Sequence, residues 1–210
     1  MGKVKVLGVG INDANYPLSR KECYVDERTG ARKRRNIWVC PFYAKWISMM
    51  KRGYCTNYQN RFPSYQDCTI CAEWLTFSNF KAWMEKQDWQ GNHLDKDLLV
   101  FGNKHYSQET CVFIPPQINY FINENTSKRG VYPVGVHWNS RDRKFAAQCK
   151  NPFNQRKENL GYYDNPMDAH EAWRLRKHEL ALLWAELIDN PLVKVALQNR
   201  YSISRMEWMK

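Results

Sequence analysis

One segment, residues 130–185, constrains the fold of this chain more than any other. Within it, GVYPVGVHWNSRDRKFAAQC contains two alternating apolar runs around a polar turn at residues 139–142, a pattern typical of a β-hairpin. A third short strand is expected at residues 160–163. Pro166 suits the first turn of a helix, and apolar side chains from Ala169 to Leu187 then recur at helical spacing. The segment therefore predicts a three-stranded antiparallel sheet packed on one helix.

The chain is also strongly basic and rich in aromatic residues. Its 32 Lys and Arg residues exceed its 21 Asp and Glu residues by 11, and it holds nine Trp and twelve Tyr. Positive charge that is spread along the chain among aromatic side chains favours an anionic partner, of which nucleic acid is the commonest. The densest basic run, Arg28–Arg35, is either an ordered strand and turn or a mobile arm. We favour a loop that contacts phosphates.

The hairpin segment resembles a known family of DNA-binding domains. Its order G-V-x-W, a charged turn, K-F-x-A, L-G-x-Y and a helix with A-x-x-A-W is similar to the plant ethylene-response-factor domain, a version of which occurs in phage homing endonucleases. The resemblance implies that the sheet lies in the major groove of double-stranded DNA. The contacts it implies are Trp138, Arg141, Arg143, Lys144, Gln148 and Lys150. The alternative is an ordinary hairpin-and-helix unit in which Trp138 and Trp173 are core residues.

A second informative segment is His93–Asn119. It predicts a strand at residues 98–101, a Gly-Asn turn, a strand at residues 110–114 and a helix after Pro115 and Pro116. This order resembles the ββα-metal unit of HNH nucleases, at about residues 92–121. The resemblance implies one divalent cation, such as Mg²⁺, that stabilises charge on the scissile phosphate. By position, the implied metal ligands are Asp95, Asp97 and Asn119.

The segment departs from the HNH pattern where the family has an Asp-His step. Asp95-Lys96-Asp97 stands there, so Lys96 replaces the general base, and a lysine of ordinary pKa is a poor base at neutral pH. In a strand the two carboxylates would share a face and Lys96 would point to the other side. His93 or His105 could supply a displaced base, with Asn103 orienting the loop. Equally, the carboxylates are turn residues of a scaffold that has lost catalysis.

The seven cysteines raise the question of a structural zinc site. Cys68-x-x-Cys71 has metal-ligand spacing, and Cys40, Cys55 and Cys111 are candidate further ligands for Zn²⁺. No second CxxC pair follows, and we slightly favour buried, reduced thiols. Because no apolar run reaches even 15 residues, we expect no membrane span and a cytoplasmic location, in the bacterial host cell for a phage-type protein.

Together these patterns predict an α+β protein with a helical, cysteine-containing N-terminal region. We expect one domain over residues 1–122 that includes the ββα-metal-like unit, a linker at 122–130, the DNA-binding domain over 130–188, and a helix and tail over 189–210. Two further helices are expected. One carries Trp46, which we expect in the core, and the other is capped by Ser78. Three functions stay open: a metal-dependent DNA endonuclease or nickase, a DNA-binding nuclease relic, or a phage protein that binds a host protein.

Overall fold

The computed structural model describes residues 5–123 and 131–202. They form two compact units, Met1–Phe113 and Ile114–Lys210. The predicted α+β class is confirmed. Most of the predicted linker, at residues 124–130, and the tail from residue 203 lie outside the described residues. None of the described helices is long and apolar enough to cross a membrane.

The first unit combines short strand pairs with three α-helices over its described residues. Its elements are β1 (Lys5–Val6), β2 (Gly10–Ile11), β3 (Ser19–Val25), β4 (Arg32–Val39), α1 (Pro41–Tyr54), α2 (Thr56–Arg61), β5 (Thr69–Ile70), α3 (Phe77–Met84), β6 (His93–Asp95), β7 (His105–Tyr106) and β8 (Val112–Ile114). Strands β1 and β2 pair antiparallel, as do β3 and β4, whereas β5 and β7 pair parallel. Strand β6 pairs with β8, which ends at the boundary between the units.

Aromatic and sulfur-containing side chains fill the core of the first unit. Trp46 and Met50 of α1 and Phe80 of α3 are fully buried, which confirms the predicted core role of Trp46. The indole Nε1 of Trp46 donates to the carbonyl oxygen of Trp74 at 2.7 Å, so its single polar group is satisfied inside the core.

Helix α3 begins differently from the sequence-based prediction. Its first residue is Phe77, and Ser78 lies one residue inside the helix and does not cap it. The backbone N–H and the hydroxyl of Ser78 both donate to the carboxylate of Asp13, at 3.0 and 2.6 Å. A carboxylate that is remote in sequence therefore takes the place of the predicted local cap.

The second unit contains the predicted sheet and helix. Its elements are α4 (Pro116–Ile122), β9 (Val136–Asn139), β10 (Lys144–Lys150), β11 (Lys157–Tyr163), α5 (Pro166–Glu186) and α6 (Pro191–Arg200). The antiparallel sheet has β10 in its centre, and α5 packs against all three strands. Helix α5 begins as predicted with Pro166 in its first turn, and Oδ1 of Asn165 accepts the N–H of Met167 at 2.8 Å.

The chain can enter this sheet only because residue 135 is a glycine. Gly135 has a φ of +80°, and a Cβ atom built on it would lie 2.2 Å from the indole of Trp173. The backbone therefore lies directly on the buried tryptophan of α5, where no side chain fits.

The predicted strand at residues 98–101 is wrong. The strand in this region is β6, and it ends where Oδ1 of Asp95 accepts the N–H groups of Asp97 and Leu98 at 2.9 and 2.7 Å. An aspartate that satisfies the next two donors in this way makes a turn, which takes the chain out of the strand. The predicted second strand and helix correspond to β8 and α4, but the specific ββα-metal unit is not confirmed.

Candidate nucleic-acid interface

The register of β10 divides the side chains of the sheet between two faces. Phe145 lies opposite Trp138 on one side and Tyr163 on the other, whereas Ala146 lies opposite His137 and Tyr162. Side chains alternate along a strand, so Phe145, Ala147 and Cys149 share one face. A register shift beside Ala147 is taken up on β11, and the alternation along β10 continues through it.

The face with Cys149 is the one that packs on α5. Ala147 and Cys149 are buried, and Glu158, which lies opposite Cys149, forms an ion pair with Arg176 of α5 at 2.7 Å. We call this the inner face of the sheet. It accounts for the burial of Trp173 on the helix.

The opposite, outer face carries cations, an amide and aromatic rings. We define it by His137, Lys144, Gln148, Lys150, Lys157 and Tyr162, which the register places on the side away from α5. Lys150 lies directly opposite Lys157, and both are exposed. Among the described residues neither of these two lysines has an ion-pair partner, whereas Lys144 is 3.3 Å from Asp164. His137, Gln148, Lys150 and Lys157 help to line a shallow depression of about 250 Å³.

The hairpin turn presents two arginines from an ordered backbone. Oδ1 of Asn139 accepts the N–H groups of Arg141 and Asp142, and its Nδ2 donates to the carboxylate of Asp142 at 2.8 Å. The nearest acidic group in the turn therefore bonds to Asn139. Arg141 and Arg143 are both exposed, and Arg143 adopts a positive φ of 52°.

Trp138 does not share a face with the other predicted contacts. Its ring packs edge-on against Phe145, with 4.9 Å between ring centroids, on the side of the sheet that carries Ala147. The structure therefore brings Lys144, Gln148 and Lys150 together and separates Trp138 from them, because cross-strand partners share a face.

A second basic surface was not predicted as a sheet. Strands β3 and β4 form an exposed two-stranded ribbon, in which Lys21 lies opposite Asn36, Cys23 opposite Arg34 and Val25 opposite Arg32. We call the face with Lys21, Arg32 and Arg34 the basic face of the ribbon. None of these three cations has an ion pair within residues 5–123 and 131–202.

The other face of the ribbon is partly neutralised, and we call it the paired face. Arg35 forms an ion pair with Glu22, and Lys33 forms one with Asp26. The guanidinium of Arg35 also lies 5.3 Å from the ring centroid of Tyr24. Half of the basic run Arg28–Arg35 is thus strand, from Arg32 onward, rather than the loop that we favoured. Within the strand, cations that have acidic partners alternate with cations that have none.

One carboxylate oxygen of each aspartate expected to bind Mg²⁺ is engaged in hydrogen bonds within the chain. Oδ1 of Asp95 accepts two backbone N–H groups, and the carboxylate of Asp97 accepts Nζ of Lys96 at 2.6 Å. The expectation that Lys96 points away from both carboxylates is therefore wrong for Asp97. A lysine ammonium next to a carboxylate supplies the charge that a metal ion would otherwise supply.

Lys96 and Asn103 hold the loop that follows β6. Nζ of the buried Lys96 also donates to the carbonyl oxygen of Asn103, and Nδ2 of Asn103 donates to the carbonyl oxygens of Lys96 and His105. These bonds agree with the expected role of Asn103 in orienting the loop. Lys96 is engaged as a donor on two sides, which does not suit a general base.

The two candidate replacement bases lie in different surroundings. Nδ1 of the exposed His105 is 2.8 Å from the hydroxyl oxygen of Thr69. His93 lines a cleft with Lys45 and Arg52 of α1, and burial, followed by those two charges, lowers its pKa. Asn119 lies in α4, within the second unit.

The cysteines are free thiols in the structure. Cys40, Cys68 and Cys111 are buried, and Cys55 and Cys71 are partly buried. Burial raises the pKa of Cys68 and Cys71, and that of Cys111 to about 12, so zinc binding would first have to remove protons from these groups. Among the described residues no cluster of three or more His, Cys, Asp or Glu side chains could hold a metal ion.

No family model, curated protein or solved structure matches the chain.

Proposed function

We propose that this protein binds double-stranded DNA through the outer face of its three-stranded sheet and the adjoining hairpin turn. One observation carries the proposal: Gln148, Lys150 and Lys157 lie together on the face away from α5. Lysines without acidic partners attract phosphates, and a side-chain amide between them can exchange hydrogen bonds with base edges.

The dimensions of the sheet suit the major groove. Three strands at the usual separation span about 10 Å between their outer axes. The major groove of B-form DNA is about 12 Å wide and admits flat β-structure. In this arrangement Arg141 and Arg143 reach the phosphates that border the groove.

DNA binding without cleavage is the activity that we propose. Hydrolysis by an HNH-type site needs a metal ion at the scissile phosphate and a base to activate water. Oδ1 of Asp95 already accepts two backbone N–H groups, and Oδ1 of Asp97 accepts Nζ of Lys96. We therefore assign this segment a structural role.

The proposal is tested by measuring duplex affinity as a function of salt concentration. The double variant Lys150→Ala/Lys157→Ala removes two cations from the outer face. Each lost phosphate contact reduces the slope of log affinity against log salt by about 0.9, so we expect a reduction of about 1.8 together with weaker binding.

A control variant that loses the same charge separates the loss of specific phosphate contacts from the effect of a lower net charge on the protein. Lys51→Ala/Lys86→Ala removes two exposed lysines elsewhere in the chain and should leave the salt slope unchanged. Equal effects of the two double variants would reject the outer face as the interface. No duplex binding by the parent protein would reject DNA as the partner and favour a host protein instead.

A further inference from the structure

A cleft between α1 and β6 collects basic groups without an acid. It has a volume of about 230 Å³ and is lined by Lys45, Ser48, Met49, Arg52, His93 and Leu94. The four residues from α1 are spaced three and four apart, so they lie on one face of the helix. The lining contains two basic side chains, a hydroxyl and an imidazole, but no carboxylate.

Arg52 carries a partly buried charge beside which the described residues place no carboxylate partner. Its Nη1 donates only long hydrogen bonds of 3.5 Å, to the carbonyl oxygen of Leu94 and the hydroxyl of Tyr106. Its Nε is buried and has no hydrogen-bond partner within the described part of the chain. No carboxylate of that part forms an ion pair with Arg52. The guanidinium lies 5.2 Å from the ring centroid of Tyr65, but a cation–π contact replaces only part of the hydration that a buried charge loses.

Lys45 increases the excess of positive charge in the same cleft. Its Nζ donates to the carbonyl oxygen of Asn92 at 2.5 Å, which anchors the ammonium beside His93. Burial, followed by the charge of Arg52, lowers the pKa of Lys45. Two cations close together in a small cleft repel each other, so binding of an anion between them is electrostatically favourable.

We propose that this cleft binds a single phosphate group. A phosphate offers several acceptor oxygens and more than one negative charge, which matches a guanidinium, an ammonium and a hydroxyl better than a carboxylate does. The cleft is smaller than the roughly 300–1,000 Å³ of pockets that enclose whole organic ligands, which favours one group over a complete nucleotide. The group is supplied by free phosphate or by a nucleic-acid backbone, and the proposal does not depend on DNA binding by the sheet.

The histidine ring signals in NMR spectra test the proposal. Titration of the protein with sodium phosphate at constant ionic strength and constant pH should shift the His93 ring resonances in a saturable way. The other histidines, His105, His137, His170 and His178, are internal controls. Sodium chloride in place of phosphate should leave the His93 signals unchanged. Absence of a saturable His93 shift with phosphate and with duplex DNA would overturn the proposal.

Variants show whether the shift reports the cleft. Lys45→Met and Arg52→Gln should each weaken phosphate binding by about tenfold, the effect of losing one charge-assisted hydrogen bond. Lys51→Met, an exposed change on the same helix, should not alter it. Unchanged affinity in a folded Lys45→Met protein would refute the assignment even if Arg52→Gln fails to fold. A DNA backbone is the source if duplex shifts His93 and competes with phosphate, and free phosphate is the source if only the inorganic ion does.

Discussion

Glu158 on β11 accepts a hydrogen bond from Nε of Arg176 on α5 at 2.7 Å. The same carboxylate accepts Nδ2 of Asn151, the residue that follows β10, at 2.7 Å, so it has partners from both the helix and the loop after the central strand. This pair lies on the inner face of the sheet, with Cys149. It adds to the apolar packing between the sheet and α5, and the outer face with its lysines stays exposed.

The ion pair predicts a specific dependence of stability on pH. Arg176, followed by Asn151, lowers the pKa of Glu158 below its usual value of 4.5. A carboxylate with a lowered folded-state pKa contributes stability above the unfolded value, which is lost as the pH falls through the folded value. We expect Glu158→Gln to reduce the free energy of unfolding by about 1 kcal/mol near pH 7 and by less at an acidic pH well below the usual pKa of 4.5. Urea denaturation at both pH values measures this, with the exposed Glu186→Gln as control.

We further predict that the basic face of the β3–β4 ribbon contacts duplex DNA in addition to the outer face of the sheet, so the two faces of the ribbon should contribute unequally to DNA affinity. Lys21→Ala/Arg32→Ala/Arg34→Ala removes the three cations of the basic face, and we expect a loss of about 2.7 units of salt slope. Arg20 lies on the paired face, because it is two residues from Glu22 on β3. Arg20→Ala/Lys33→Ala/Arg35→Ala removes the same charge from this face, where Glu22 and Asp26 already neutralise two cations. This second triple variant should lose distinctly less salt slope than the first. Fluorescence anisotropy with a labelled duplex measures both, and identical losses would speak against a ribbon contact.

Cleavage assays should find no metal-dependent nicking. Because Lys96 bonds to Asp97 and Asp95 accepts two backbone N–H groups, supercoiled plasmid should stay intact with Mg²⁺ or Mn²⁺. Gel electrophoresis with an EDTA control measures this. Nicking that EDTA abolishes, and that Asp95→Ala removes while DNA affinity is retained, would instead establish a working nuclease site.

Gly135 should tolerate no side chain. Its positive φ and the 2.2 Å approach of a Cβ to Trp173 predict that Gly135→Ala lowers the free energy of unfolding by about 3 kcal/mol, the sum of backbone strain and overpacking. Gly102→Ala is the matched control, because Gly102 also has a positive φ but open space around its Cβ position. It should cost about 1 kcal/mol. Equal shifts of the urea midpoints would mean that the contact with Trp173 is unimportant.

The sheet-and-helix unit was predictable because its signals are local. Apolar alternation around Phe145 and the turn at Asn139 specify the hairpin, and Pro166 specifies the start of α5. The ribbon gave no such signal. Both of its faces are exposed, so apolar and polar residues do not alternate along its strands. The remaining hint was the turn between Asp26 and Gly30, which has residue types common in hairpin loops.

The candidate HNH-like site was harder to predict because side-chain bonding decides its geometry. The apolar run after Asp97 suggests a strand, yet Leu98 is buried from within a turn that Asp95 stabilises. The alternation of side chains along a strand predicted that Lys96 points away from Asp95 and Asp97. The strand ends at Asp95, so this alternation does not extend to Lys96. The cleft around Arg52 depends on contacts between α1 and β6, which no local pattern contains.

The bond between Asp13 and Ser78 has a consequence for the order of folding. Because the carboxylate that caps α3 lies 65 positions away, the intervening chain must fold back before the first turn of the helix has all its hydrogen bonds. The start of α3 is therefore expected to become ordered late, after the core around Trp46 has brought the N-terminal segment into place. A chain of which only the first half has been synthesised would therefore carry α3 with an incomplete first turn until Asp13 binds Ser78.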